Sequence, residues 1–211
     1  MTTRLVHEHI NGRPLSDEEI ISIVRKRTVG EPGMIAASVG ILVHYLAARP
    51  ALQARLRQQP GDLPDAIDEI PRLHAPLITN RRVTTGPVEI GGRPFEAGKR
   101  LTLIWFRASQ DETVSGDPDA FDPEHSRTSN LLYGAGVHVC PGAPLVRRYL
   151  RLLMEALLAG THQTAPATGL SPQRASFPGS GFASLPICLQ VPATGPHPGE
   201  SGPLQDSEHR R

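Results

Sequence analysis

Several features are scarce in this chain, and each scarcity removes a class of protein. It holds only two cysteines, Cys140 and Cys188, so a disulfide-stapled secreted scaffold is excluded and each thiol needs its own explanation. Neither sign of charge dominates: 22 basic residues stand against 21 acidic ones, a formal net charge of +1. That balance gives no basic field for nucleic acid or an anionic membrane. No apolar run approaches the roughly 20 residues that cross a bilayer. The opening stretch MTTRLVHEHINGRPLSDEE lacks the apolar segment of a secretory signal. No Cys/His set has the spacing of a structural zinc, and no internal repeat is found. The expectation is a cytoplasmic protein that binds neither nucleic acid nor membrane and works on small molecules.

What is present suffices for a core, since 38% of the 211 residues are hydrophobic. Ser16-Asp17-Glu18-Glu19 has the form of a capping box, so a helix begins there. Ile20, Ile21, Ile23 and Val24 are expected to supply its apolar face. The segment VGEPG, Val29 to Gly33, interrupts the pattern before Ala36 to Ala48 resumes it and Arg49-Pro50 ends it. One long helix with a distorted centre is expected. Shorter helices follow from about Pro50 to Gln59 and from about Pro64 to His74, with Pro64 suited to a first turn.

After Pro76 the runs RRVTTGPVEI and KRLTLIWF flank Gly91-Gly92 and read as strands around a tight turn. Arg107 to Asn130 is aperiodic and rich in Asp, Pro and Ser, an irregular loop of a length that usually serves function. Beyond Cys140, the residues Val146, Tyr149, Leu150, Leu153 and Leu157 keep helical spacing, with Arg147, Arg148, Arg151 and Glu155 on another stripe. FASLPICLQV reads as a last strand, and residues 192–211 as a flexible tail. The fold class is mainly α with small β-sheets.

Chemistry concentrates around one cysteine, in NLLYGAGVHVCPGAPL, residues 130 to 145. Cys140 lies just before a helix, where free backbone N–H groups and the helix dipole favour a thiolate. Gly134, Gly136 and Gly142 allow positive φ or close approach of a flat ligand. A lone thiol there suits haem ligation or nucleophilic catalysis, while a buried free cysteine in a glycine-rich turn uses the same residues. Cys188, in a strand without a partner, reads as a packing residue.

The pattern Tyr133-Gly134-x-Gly136-x-His138-x-Cys140-x-Gly142 resembles the haem-binding loop of cytochromes P450, with Tyr133 where that family usually has Phe. Glu69-x-x-Arg72 in AIDEIPRLHAPL is similar to the family's pair that braces this loop, although such spacing also occurs in solvated ion pairs. RRVTTGPVEIGG, DPDAFDPE and GFASLPICL follow in the order of bacterial members, so the resemblance covers about residues 5 to 191. It implies the C-terminal half of the cytochrome P450 fold. Residues 1–191 would form a partial haem-binding domain that lacks a counterpart of the family's N-terminal half.

The resemblance further implies haem b (iron protoporphyrin IX) with Cys140 as axial thiolate and as the metal ligand. His138 and Arg82 match positions facing the haem propionates. Tyr133, Gly134, Gly136 and Gly142 complete the cofactor loop, and Leu77 and Ile78 match a segment lining the substrate cavity. A ferredoxin or flavin reductase would be the electron donor. Arg147, Arg148 and Arg151 read either as part of its docking patch or as a solvated helix face, the latter preferred.

Departures are expected to matter. Where the family has an acid followed by threonine at the oxygen site, this chain has Gly33-Met34, which leaves Glu31 or water for proton delivery. Ala120 replaces a third bracing residue, usually arginine, and Pro71 intrudes into the bracing helix at a cost of about 3 kcal/mol. Two functions follow: a monooxygenase inserting oxygen from O2 into a small organic substrate, or a non-catalytic remnant that binds haem weakly or not at all.

Overall fold

In the computed structural model, which describes residues 2–177 and 180–192, the capping box opens the main frame. Ser16 Oγ accepts the Glu19 amide at 3.3 Å, and a Glu19 carboxylate oxygen accepts the Ser16 amide at 2.8 Å. Arg13 adds a bidentate pair to Glu19 at 2.8 and 2.9 Å. These bonds, Arg13 first and the Ser16 amide second, bring the Glu19 carboxyl down to about 2. Arg13 sits on a small hairpin, His9–Ile10 with Arg13–Pro14, turned by Asn11 (φ 51°) and Gly12 (φ 76°). Asn-Gly is the strongest short hairpin signal, and the sequence reading passed over it.

Helix α1 (Asp17–Ala47) is the expected single long helix. It runs unbroken through Pro32, which brings no N–H to the helical ladder. Its apolar face differs from expectation: Ile21, Ile23 and Val24 are exposed, and burial begins only at Ala37, where neighbouring elements first cover the helix. Over one stretch α1 is long and apolar enough to pass for a membrane span. However, Ile41, Leu42 and Leu46 are almost wholly enclosed by other elements, the situation of a core helix.

Helices α2 (Pro50–Gln58), α3 (Leu63–His74) and α4 (Ala143–Gly160) pack around the second half of α1. Pro64 occupies the first turn of α3, as expected, and Pro71 is accommodated inside it. Ile67, Ile70, Leu150 and Met154 join Ile41 and Leu46 at 2% exposure or less, each side chain worth about 1.5–3 kcal/mol of burial. In α4 the buried stripe is Val146, Leu150, Met154 and Leu158. Tyr149 and Leu153, expected in the apolar face, are exposed together with Leu152. The four-residue step of the buried set shows why: α1 to α3 cover one narrow strip of α4.

The sheets are all two-stranded and antiparallel among the described residues. Thr79–Val83 pairs with Arg100–Ile104 and encloses the hairpin Val88–Ile90 with Arg93–Phe95, turned by Gly91 (φ 56°) and Gly92 (φ 75°). The strand expected to include Trp105 and Phe106 stops at Ile104, because Trp105 starts a helical turn and packs beside Gly134. The expected last strand is two: Phe182–Ser184 pairs with Gln173–Arg174, and Ile187–Gln190 with Gln163–Pro166. Pro186 lies between them and has no N–H for a ladder. Gln53 of α2 fastens this region, donating to the Leu46 and Thr164 carbonyls at 2.7 and 2.8 Å and accepting the Thr164 amide at 3.0 Å. The expected tail falls, from residue 193 on, outside the described residues.

Candidate functional site

The site is built from α3 outward. Glu69 and Arg72 lie one turn apart on its buried face, at 1% and 2% side-chain exposure. Arg72 Nε and Nη2 donate to the two Glu69 oxygens at 2.7 and 2.9 Å, so the solvated-pair alternative is excluded. The pair also gathers the irregular loop: Arg72 donates to the Ser109 carbonyl at 2.7 Å, and the Asp122 amide donates to Glu69 at 3.1 Å. Arg72 further reaches the Pro118 and Ala120 carbonyls, both at 3.4 Å. At position 120, where Ala stands in place of the family's usual arginine, the backbone itself meets Arg72.

The cysteine loop is anchored beside this pair. Asn130 Nδ2 donates to the Asp68 carbonyl at 3.3 Å, while its Oδ1 accepts the Leu132 amide at 2.8 Å. Gly134 has φ 77°, and a Cβ there would stand 3.4 Å from the His138 carbonyl and 3.8 Å from the Trp105 ring. The chain then makes a short turn, Gly136–His138, and returns, so that the Cys140 amide donates to the Tyr133 carbonyl at 2.8 Å. Cys140 is a partly buried free thiol, and its carbonyl accepts the Ala143 amide as α4 begins.

Arg147, one helical step further, donates through Nε to both Asp68 oxygens at 2.9 Å, and its guanidinium lies 4.4 Å from the centre of the Tyr133 ring. Burial, then the Asp68 charge, pushes the Tyr133 phenol up. The bonds to Asp68 raise Arg147 further above its ordinary range. Arg151 pairs with Glu155 at 2.7 Å. Two of the three arginines offered as a docking stripe are therefore engaged within the chain, which favours the solvated-face reading.

Other expected residues are more scattered. His138 is exposed, and Arg82 donates to the Arg81 carbonyl at 2.8 Å; neither forms an ion pair among the described residues. Gly142 caps α4 with ordinary φ, −84°. Gly33 and Met34 sit in α1 with no hydrogen bond to the cysteine loop, and the Glu31 side chain lies outside the described residues. Leu77 is exposed and shares a small cavity with Pro71, Trp105 and Leu132. Asp68, Asn130 and Trp105 were missed by sequence reasoning. Only Asn130, a turn former opening a glycine-rich stretch, carried a local signal.

The residues present fit a haem. A partly exposed thiol leads into a helix, Gly134 and Gly136 hold left-handed φ, and a Cβ at Gly136 would meet nothing within 4 Å. Val137 and Val139 stand bare at 95% and 52% exposure, an apolar lining without protein cover. Neither Arg82 nor His138 has a carboxylate partner among the described residues.

An α-rich frame with small antiparallel sheets presents a single cysteine on a glycine-bent loop beside a buried Glu-Arg pair. The family model described as Cytochrome P450 matches residues 63–172, and the chain belongs to the cytochrome P450 family. It is 30% identical to an erythromycin C-12 hydroxylase of Saccharopolyspora erythraea over 161 residues, 75% of this chain and 41% of that enzyme. It is 29% identical to cyclomarin C epoxidase of Salinispora arenicola over 157 residues, 74% of this chain and 40% of that one. A mutant of P450 EryK of S. erythraea, bound to erythromycin B, superposes with TM-score 0.83 at 27% identity, covering 92% of this chain and 51% of that one. The chain thus spans about two fifths of these curated relatives and half of the solved structure.

Proposed function

We propose that this chain carries the haem-thiolate half of a cytochrome P450 monooxygenase, with Cys140 as the axial ligand of haem b. The observation that carries the reading is the cysteine loop itself: Cys140 fixed by its amide to the Tyr133 carbonyl, beside the buried Glu69–Arg72 pair. When bound, the haem supplies the iron at which dioxygen is activated with electrons from a ferredoxin or flavin reductase. The chain's own residues have separable tasks. Cys140 binds through its thiolate, helped by the start of α4. Arg82 and His138 pair with the propionates, and Gly136 leaves room for the ring. Glu69 and Arg72 keep the 109–122 segment in place without touching substrate.

Relatives named for a hydroxylation and an epoxidation support oxygen insertion into a small organic molecule, and a cytoplasmic setting agrees with that chemistry. Proton delivery falls to Glu31 or water, since Met34 has no hydroxyl. A second reading, a chain that holds haem weakly and does not turn over, is favoured by the exposed apolar side chains Tyr149, Leu152 and Leu153 of α4. Haem titration decides between them. Stoichiometric uptake, a thiolate-type spectrum of the reduced carbon monoxide complex, and loss of that spectrum in Cys140→Ser support the first reading. Substoichiometric uptake without reductase-dependent turnover supports the second. A spectrum unchanged by Cys140→Ser refutes Cys140 as ligand.

A further inference from the structure

We infer that Arg147 is a positioning residue, a clamp that fixes the cysteine loop to α3 through Asp68; its functional meaning rests on the reading of Cys140 as ligand. Asp68 is bound once by the loop segment and twice by the helix behind it. Its carbonyl accepts Asn130 Nδ2 at the loop's entrance, and its carboxylate accepts Arg147 beyond the loop's exit. Between these two anchors the Arg147 guanidinium lies over Tyr133, whose carbonyl holds the Cys140 amide. The path from Asp68 to the thiol is therefore a short series of direct contacts: carboxylate, guanidinium, aromatic face, backbone hydrogen bond.

Exposure separates this clamp from the core. The Arg147 and Asp68 side chains are 48% and 27% exposed, and ion pairs of that kind contribute little to global stability. The Glu69–Arg72 pair next to it is buried and holds a different segment, residues 109–122. Division of labour follows: the buried pair keeps the irregular loop folded, and the exposed pair sets the loop that presents the thiol. Lysine could not substitute, because it lacks the planar fork that binds a carboxylate bidentately while lying flat on a ring.

The test uses the full chain with Cys188→Ser, which leaves Cys140 as the only thiol. Cys140 alkylation by iodoacetamide, hydrogen exchange over residues 130–142 and the melting midpoint are followed in Asp68→Asn, Arg147→Leu, Arg147→Lys and the Asp68→Asn/Arg147→Leu double variant. Alkylation and exchange are expected to rise roughly two- to fivefold in each single variant, the opening an exposed bidentate pair holds back. The double variant should be no faster than the singles, and the midpoint should stay within about 4 °C. Unchanged rates, or a rise matched by global destabilisation, overturn the clamp. If the rates respond as stated while haem titration gives no thiolate-type spectrum, the clamp stands and the ligand reading alone falls.

Discussion

Removing Glu69 is the severest single change the site offers. In Glu69→Ala the Arg72 guanidinium, 2% exposed, loses both carboxylate bonds and keeps only carbonyl acceptors, so a buried charge is left uncompensated. Breaking such a pair from one side costs about 3–5 kcal/mol. The Asp122 amide loses its acceptor in the same step, and an orphaned donor costs about 1–3 kcal/mol where water cannot reach it. The two losses share one carboxylate, so we take about 4 kcal/mol rather than their sum. Against a total of roughly 5–15 kcal/mol, this removes a large share of stability and lowers the melting midpoint by about 8–16 °C. Urea denaturation and limited proteolysis of residues 109–122 measure it, with cleavage in that segment appearing first. Glu69→Met with Arg72→Leu should recover part of the loss, since an apolar pair leaves no buried charge. A Glu69→Ala loss below about 1 kcal/mol, the range of exposed pairs, would refute the reasoning.

Three further changes probe the frame. Gly181→Ala places a Cβ 3.1 Å from the Ala37 carbonyl oxygen and 3.2 Å from its Cα, at φ +82°, and should destabilise by about 1–3 kcal/mol; Gly92→Ala, at φ +75° in open space, should cost less in the same denaturation assay. Gln53→Ala strands the buried Thr164 amide and should cost about 1–3 kcal/mol, with faster exchange of that amide. The His44 ring lies 4.6 Å from the Phe182 ring, tilted by 37°, and burial, then the charges of Arg174 and Arg49, push its pKa down. Its neutral form is thus favoured in the folded state, so its contribution is complete above the unfolded value of about 6.5 and is lost as pH falls below that toward the folded value. His44→Phe should show a shallower loss of stability between pH 7 and 5 than the parent chain, and identical slopes would contradict this.

The parts of this molecule legible in its sequence are those decided by neighbours in the chain. Ser16 to Glu19, the Gly91-Gly92 turn and Pro64 at the start of α3 each act within a few residues, and each is found as read. Glu69 and Arg72 were legible as a pair, but not as a buried one, because burial depends on residues 109–122 closing over them. Which residues of α4 face inward was misread for the same reason: Tyr149 and Leu153 have the right spacing, but nothing among the described elements covers them. Asp68 gave no signal at all. Its importance comes from Asn130 and Arg147, 62 and 79 residues away.

The fastening of α2 to the Gln163–Pro166 strand has a consequence for synthesis on the ribosome. Gln53 and Thr164 are 111 residues apart, and Arg57 likewise waits for the Leu158 and Thr161 carbonyls. At about 5–20 residues per second, their partners emerge on the order of 5–20 s later. Through that interval Ile41, Leu42 and Leu46 have no complete cover, and the turn at Gly181 that closes on Ala37 emerges later still. Helix α1 is thus made before the elements that complete its shelter. A chain that stops before residue 163 therefore leaves α1 with only α2 to α4 as cover, its remaining apolar surface open to other such chains nearby.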